Sequence, residues 1–131
     1  MSQESIELVR RGFEAFARRD MAAVLELLAP DVDVTSDALG LSAGQSYLGH
    51  DGFVRATQEV TEAFGDYRIE AEEFIDAGEE VVVLVRISGR GRSSRIPVDM
   101  RLAHVWTVRG GQGVRARTFE STEAALEALG R

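Results

Sequence analysis

Cysteine is absent from the 131 residues, so disulfide bonds, thiolate metal ligands and cysteine nucleophiles are all excluded. The chain has only two histidines and no close spacing of His, Asp and Glu, so we expect no metal ion and no cofactor. Phosphate-cradling loops and nucleophile-elbow motifs are missing as well. The sequence therefore gives no support for acyl transfer or nucleotide chemistry.

Positive charge is also in short supply. The formal net charge is −7, whereas nucleic-acid binding needs a surplus of Lys and Arg on one face, so we expect no nucleic-acid partner. No apolar run reaches the ~18 residues of a membrane span. The first residues lack the basic and apolar regions of a signal peptide. These absences predict a cytoplasmic protein without a membrane partner, and the length predicts one domain over residues 1–131.

In the first half of the chain, apolar residues recur at helical spacing and predict three helices. Ser2 and Asp20 are the expected caps of the first two, because their side chains can accept a hydrogen bond from a free backbone N–H. His50 or Asp51 is the expected cap of the third helix. Gly65 stands where that helix should end.

The segment between the second and third helices predicts a short strand over Asp31–Thr35 and then a loop from Ser36 to Gly49. This loop is rich in Gly and Ser and too long for a simple connection, so it is either a lid or a flexible segment. After Gly65 the period changes to two and predicts four antiparallel strands. A last short helix is expected over Thr122–Leu129, capped by Ser121. This order indicates an α+β domain in which a curled sheet covers the helices and leaves a cavity.

The hairpin from Ile96 to Glu120 is the centre of this arrangement. Large, mostly apolar residues alternate along its first strand with smaller or polar ones, and Arg109–Gly113 reads as a tight turn. His104 is the titratable group of the apolar stripe. The stripe comprises Val98, Met100, Leu102, His104, Trp106 and Val108.

Several segments together resemble the nuclear transport factor 2-like superfamily, specifically its bacterial SnoaL-like branch. They are Ala17–Asp20 before the short second helix, Leu28–Val32 with Gly49 opening the third helix, and above all Ala103–Gly111 followed by Val114–Phe119. The resemblance covers essentially the whole chain. It implies a cone-shaped fold, in which a curved mixed or antiparallel sheet wraps around three N-terminal helices and a short C-terminal helix follows. It also implies an acid–base site inside the cone and frequent dimerisation through the outer face of the sheet.

Laid on the ketosteroid isomerase pattern of this superfamily, His104 falls near the pocket-facing acid. Ser36 falls where the general base would need a carboxylate. Phe13 or Gly12 falls where a tyrosine donates to the substrate oxygen. Two of the three roles are unfilled, so steroid isomerisation is not expected.

The epoxide hydrolase pattern requires an Arg and an Asp two apart in the strand at 81–85, and an Asp where Thr118 stands. Neither carboxylate is present. The SnoaL cyclases also use a carboxylate on the last strand, where Thr118 or Glu120 would have to serve. Every familiar mechanism of the superfamily therefore lacks at least one group.

His104, Glu120 and Asp37 are the candidate catalytic residues. An imidazole titrates near neutral pH, so His104 suits a general acid or base; the alternative is a core histidine that is hydrogen-bonded to its neighbours. Glu120 would orient His104 from the last strand, or else lie hydrated at the rim of the cone. Asp37 would act as a base at the pocket mouth, unless it forms a turn.

The candidate ligand-binding residues follow from the stripe and from the resemblance. Trp106 would offer a broad wall to a flat ligand, or be plain core. Met100 and Leu102 are ordinary lining or core residues. The full set is Trp106, Met100, Leu102, Thr118, Ser36, Val34, Phe13 and Phe64.

The preferred hypothesis is a SnoaL-like protein that binds a small hydrophobic molecule, because no familiar catalytic set is complete. The alternative is a cofactor-free cyclase, isomerase, dehydratase or hydrolase that uses His104 on a ring-bearing substrate. We also expect a homodimer through the convex face that carries Ala103, Val105 and Thr107. There Asp99 and Arg101 of one subunit would pair with Arg101 and Asp99 of the other.

Overall fold

The computed structural model describes residues 2–36 and 45–130. The helices are α1 (Ser2–Ala17), α2 (Met21–Glu26), α3 (Gly49–Phe64) and α4 (Thr122–Ala128). The strands are β1 (Leu28–Ser36), β2 (Gln45–Leu48), β3 (Tyr67–Ala77), β4 (Glu80–Arg90), β5 (Pro97–Arg109) and β6 (Gln112–Phe119). In this part of the chain, no helix is long and apolar enough to cross a membrane.

The six strands form one curved sheet in the order β2-β1-β6-β5-β4-β3. The β1 strand runs parallel to β6, and all other neighbours are antiparallel. The predicted α+β class, with a curved mixed sheet, helices preceding most of the strands and a short C-terminal helix, is confirmed.

Two of the predicted helix caps are present. Asp20 Oδ1 accepts a hydrogen bond from Ala23 N at 3.1 Å, and Ser121 Oγ accepts one from Ala124 N at 3.0 Å. These bonds satisfy backbone N–H groups that have no partner inside the helix. Gly65 follows the last residue of α3 with φ of +65°, as the sequence predicts for the end of that helix.

The predicted cap of α3 is wrong. The residue before the helix is Leu48, which offers no side-chain hydrogen bond, and the helix already begins at Gly49. His50 and Asp51 therefore lie within the first turn. There the His50 ring is used differently, because its Nε2 donates to the backbone oxygen of Leu28 at 3.0 Å and ties α3 to β1.

The first strand is longer than predicted, and the second was missed. β1 begins at Leu28 and includes Pro30, and α2 ends before it at Glu26. The β2 strand is a four-residue edge strand within the predicted loop, where Tyr47 is buried and Leu48 is exposed. Such a short segment gives almost no alternation to read. Residues 37–44 of the predicted loop lie outside the described part.

The predicted hairpin between β5 and β6 is present. Gly110 and Gly111 form its two-residue turn with φ of +59° and +74°, a combination that other residues adopt with difficulty. The turn pairs Arg109 with Gln112, and a register shift between Thr107 and Val108 then brings His104 opposite Thr118 in β6. In β4, His104 lies opposite Val83.

The sheet has two faces with different covers. On the concave face, where α1 to α3 pack, the buried cluster contains Val9, Val81, Val83, Val85, Ile87, Leu102 and Val108. On the convex face, where α4 packs, it contains Ala77, Val82, Ala103, Val105 and Ala125. Alternate residues of β4 and β5 therefore belong to different clusters, as period-two patterning requires.

The charges of the convex face pair within the chain. Arg86 and Arg101 are direct cross-strand neighbours, and each turns to a carboxylate instead. Arg86 donates to both oxygens of Asp99 at 2.9 and 2.7 Å, and Arg101 donates to Glu72 at 2.7 Å. Asp99 and Arg101 thus already have partners without a second subunit. The homodimer stays a prediction, which sedimentation at micromolar concentration would check.

Candidate functional site

A cavity of about 170 Å³ lies between the three N-terminal helices and the concave face of the sheet. Its lining residues within the described part include no Asp, Glu, Lys or Arg. The helical wall includes Phe13, Phe16, Phe53, Ala56, Thr57 and Val60, and the sheet wall includes Val34, Tyr67, Ile69, Ile87, His104, Trp106 and Thr118. This lining suits a neutral, mostly apolar molecule.

His104 projects from the middle of β5 into this wall. Its ring stacks on Phe13, with 5.9 Å between the ring centroids and 30° between the planes. Neither ring nitrogen forms a hydrogen bond with any residue in the described ranges. Burial among apolar groups lowers the pKa of His104 to about 4, because the imidazolium form would lose its hydration there. The imidazole is therefore neutral at neutral pH.

Trp106 stands two residues further along the same face of β5 and also lines the cavity. Its indole Nε1 is buried and has no acceptor among residues 2–36 and 45–130. A buried N–H group without a partner costs about 1–3 kcal/mol. Gly113 lies beside the ring, since a Cβ at that position would be 3.4 Å from two ring carbons.

Five of the sequence-predicted site residues line the same cavity. His104 and Thr118 are neighbours across β5 and β6, while Trp106 and Val34 both pair with Ala116. Phe13 closes the cavity from α1 through its contact with His104. The structure thus brings together His104, Trp106, Thr118, Val34 and Phe13.

Three other predicted ligand-binding residues lie elsewhere among the described residues. Leu102 is buried in the concave cluster, and Met100 packs against that cluster. Neither they nor Phe64 contribute to the cavity lining. Leu102 shares that cluster with Val9, Val85 and Ile87, so its side chain fills core rather than facing the cavity.

The predicted carboxylates do not join His104 within the described part. Glu120 follows the end of β6 and is exposed, which corresponds to its predicted alternative at the rim. Asp37 and the side chain of Ser36 fall outside what the structure describes. Within the described ranges, no group of three or more His, Asp or Glu side chains is placed to hold a metal ion.

The helical wall contains residues that were not predicted for the site. Phe16, Phe53 and Thr57 all line the cavity. Helical periodicity indicates that the helices bury these positions, but a period alone does not reveal whether the surface opposite fills the space or leaves a gap. The spacing of apolar residues on α1 and α3 is the signal that was available.

The sequence matches the SnoaL-like domain over residues 9–116. Among curated proteins, it is 31% identical over 125 residues to uncharacterized protein Rv0034 of Mycobacterium tuberculosis, a match that covers 95% of this chain and 94% of the relative. Uncharacterized protein Mb0035 of Mycobacterium bovis matches with the same identity and coverage.

Solved structures share the fold. An NTF2-like protein from Burkholderia thailandensis superposes with a TM-score of 0.81 at 28% identity and covers 95% of this chain and 96% of its own. TerC, co-crystallised with polyporic acid, gives 0.78 at 26% identity, with 98% and 99% covered. A putative SnoaL-like polyketide cyclase from Jannaschia sp. CCS1 gives 0.78 at 20% identity, with 98% and 92% covered, and this likeness concerns the fold alone.

Proposed function

We propose that this chain, which belongs to the SnoaL-like domain family, holds a small molecule whose uncharged, largely apolar body lies in the cavity under its sheet. The match to the SnoaL-like domain confirms the family resemblance found in the sequence. Membership alone does not choose a function, because folds of this kind carry different sites. The choice rests on the residues of the cavity.

The lack of partners for His104 and Trp106 is the observation that carries the proposal. Both line an otherwise apolar cavity. The Trp106 indole N–H is buried without a partner, and His104 forms no hydrogen bond with any residue in the described part. A guest with one acceptor and one donor or acceptor would bond to the indole N–H and to the neutral imidazole. Its apolar body would gain about 25 cal/mol for each Å² removed from water.

Binding is favoured over acid–base catalysis by the state of His104. With a pKa of about 4, the imidazole is no proton donor at neutral pH and only a weak base. The described lining holds no carboxylate to orient it or raise its pKa. TerC, 26% identical to this chain, was crystallised with polyporic acid, which supports a small organic molecule as the guest of this fold.

The test uses N-phenylnaphthylamine, a neutral apolar dye whose fluorescence rises when it leaves water. We expect saturable binding to the wild type and its loss in Val34→Phe, which places an aromatic ring in the cavity. Val98→Phe is the matched control, since Val98 lies on β5 outside the cavity lining, and it should bind as the wild type does. Absence of binding by the wild type would contradict the proposal.

A second measurement addresses the alternative function. Native mass spectrometry of the purified protein should show a bound organic molecule that is released unchanged, both from the wild type and from His104→Gln. Conversion of that molecule by the wild type but not by His104→Gln would instead establish the enzymatic hypothesis.

A further inference from the structure

A second cavity of about 340 Å³ adjoins the first. The two share Phe16, Val24 and Thr57 as common wall residues, so they are neighbouring compartments rather than separate sites. We call the first the inner cavity and the second the outer cavity. Their chemistry differs. The described lining of the inner cavity has no charged residue, whereas Arg19, Asp20 and Asp66 line the outer cavity.

Arg19 has an unusual backbone for its residue type. It follows the end of α1 with φ of +60°, and the helix closes through bonds from Arg19 N to Phe16 O and from Asp20 N to Ala15 O. Glycine usually occupies this position, because a side chain disfavours the left-handed conformation. An arginine at such a position suggests that its side chain has a use that outweighs the strain.

The guanidinium of Arg19 is held at the boundary between the two cavities. Its Nη2 donates to the backbone oxygen of Tyr67 at 2.7 Å. Its Cζ lies 5.1 Å from the centroid of the Tyr67 ring and 5.9 Å from that of Phe16. Both rings line the inner cavity. The other N–H donors of the Arg19 guanidinium have no hydrogen-bond partner within residues 2–36 and 45–130.

We propose that the ligand is amphipathic, with its apolar body in the inner cavity and an anionic group of the carboxylate or sulfonate class bound by Arg19 in the outer one. This inference rests on the proposed function and adds the polar end of the ligand. A guanidinium fixed by two rings and one carbonyl is preorganised, so binding an anion immobilises little further.

One carboxylate of the outer cavity is engaged elsewhere, and a second guanidinium lies beside the cavity. Asp20 Oδ1 is turned towards α2, where it accepts from Ala23 N. Arg92 Nη2 donates to Thr61 O at 3.2 Å and would lie 3.7 Å from a Cβ on Gly65. Thr61 and Gly65 both line the outer cavity.

The experiment compares two dyes that share the same apolar body. Anilinonaphthalenesulfonate is N-phenylnaphthylamine with a sulfonate added, so the ratio of their affinities isolates the anionic group. We expect the wild type to favour the sulfonate. In Arg19→Gly, which suits the left-handed backbone, the sulfonate-to-neutral affinity ratio should fall about tenfold. Asp66→Asn is the matched control. It removes a negative charge from the outer cavity and should therefore raise the sulfonate-to-neutral affinity ratio.

The outcomes separate this inference from the proposed function. If the wild type binds neither dye, the proposed function fails and this inference fails with it. If the neutral dye binds and the ratio is the same in the wild type and Arg19→Gly, only the role of Arg19 is overturned. Should Arg19→Gly not fold, Arg19→Gln replaces it, with binding of the neutral dye reporting an intact inner cavity.

Discussion

The two faces of β5 differ in whether their polar side chains have partners within the described part of the chain. On the convex face, Asp99 forms an ion pair with Arg86 of the neighbouring strand β4, and Arg101 forms one with Glu72 of β3, two strands away. On the concave face, His104 and Trp106 form no hydrogen bond through their ring nitrogens to any described residue. One strand thus carries a face whose charges are satisfied within the chain and a face that offers unused polar atoms to a cavity.

The difference arises from what covers each face. The helix α4 packs directly on the convex face, where Ala125 of the helix and Ala103 of β5 are fully buried in the same cluster. The helices of the concave side stand further off around His104 and Trp106, where the cavity remains. Unpartnered polar groups in a native interior call for an explanation. Here the explanation we propose is a guest molecule.

The largest expected effect on stability comes from a phenylalanine introduced on the convex side of the sheet, compared with one introduced on the concave side. Ala125→Phe should lower the free energy of unfolding by about 3 kcal/mol, because the convex interface has no space for the ring. Val34→Phe should lower it by less than about 1 kcal/mol, because the ring enters the cavity. Urea unfolding with unchanged m-values would measure both. Equal losses would show that the concave side is as tightly packed as the convex one.

The next effect is a pH dependence carried by His104. Its folded pKa of about 4 lies below the ordinary value of 6.5, so the unfolded chain binds more protons between these values. The contribution to stability is complete above the ordinary pKa and is lost as the pH falls towards the folded one. From about pH 7 to about pH 5, the wild type should lose about 2 kcal/mol more than His104→Gln does.

The convex carboxylates do not obscure this window. Their arginine partners lower the pKa of Glu72 below 4.5 and that of Asp99 below 3.8. Stability from these groups is present above their ordinary pKa values and is lost only at lower pH. Parallel curves for the wild type and His104→Gln from about pH 7 to about pH 5 would show that the imidazole is hydrated or partnered.

A smaller effect is expected from removing the unpartnered N–H of the concave face. Trp106→Phe should change the free energy of unfolding by less than about 1 kcal/mol, because lost packing and the relief of a buried, unbonded N–H oppose each other. On the convex face, Thr107 donates to Glu80 at 3.3 Å, so Thr107→Val should cost about 1 kcal/mol. If Trp106→Phe lowered the free energy of unfolding by well above about 1 kcal/mol, the indole N–H would have a partner.

Sequence reasoning reached the fold and the polar groups of the cavity wall. Alternation along β5 gave the shared face of His104 and Trp106, which depends on a local rule, the period of a strand. The family resemblance indicated that Thr118 points into the same cavity. The order of helices and strands indicated a sheet curled over the helices, and the SnoaL-like resemblance implied its cone shape.

The rest depended on contacts between elements distant in the sequence. Whether Leu102 lines a cavity or fills a core is decided by its packing with Val9 of α1 and with Val85 and Ile87 of β4. The use of Arg19 depends on Tyr67, which lies 48 residues away in the chain. The partners of Asp99 and Arg101 were assigned to a second subunit because the strand pairing that brings Arg86 and Glu72 to them is not visible in the pattern.

The smallest expected effect concerns those convex ion pairs. Arg101→Gln and Asp99→Asn should shift the urea midpoint only slightly, because both pairs are exposed and water already stabilises the separated charges. High salt should remove even this shift, since screening weakens surface pairs. His104→Gln should keep its difference from the wild type in high salt, because desolvation rather than a neighbouring charge lowers its pKa. A salt-sensitive difference at His104 would place a charge beside it and remove the contrast between the faces.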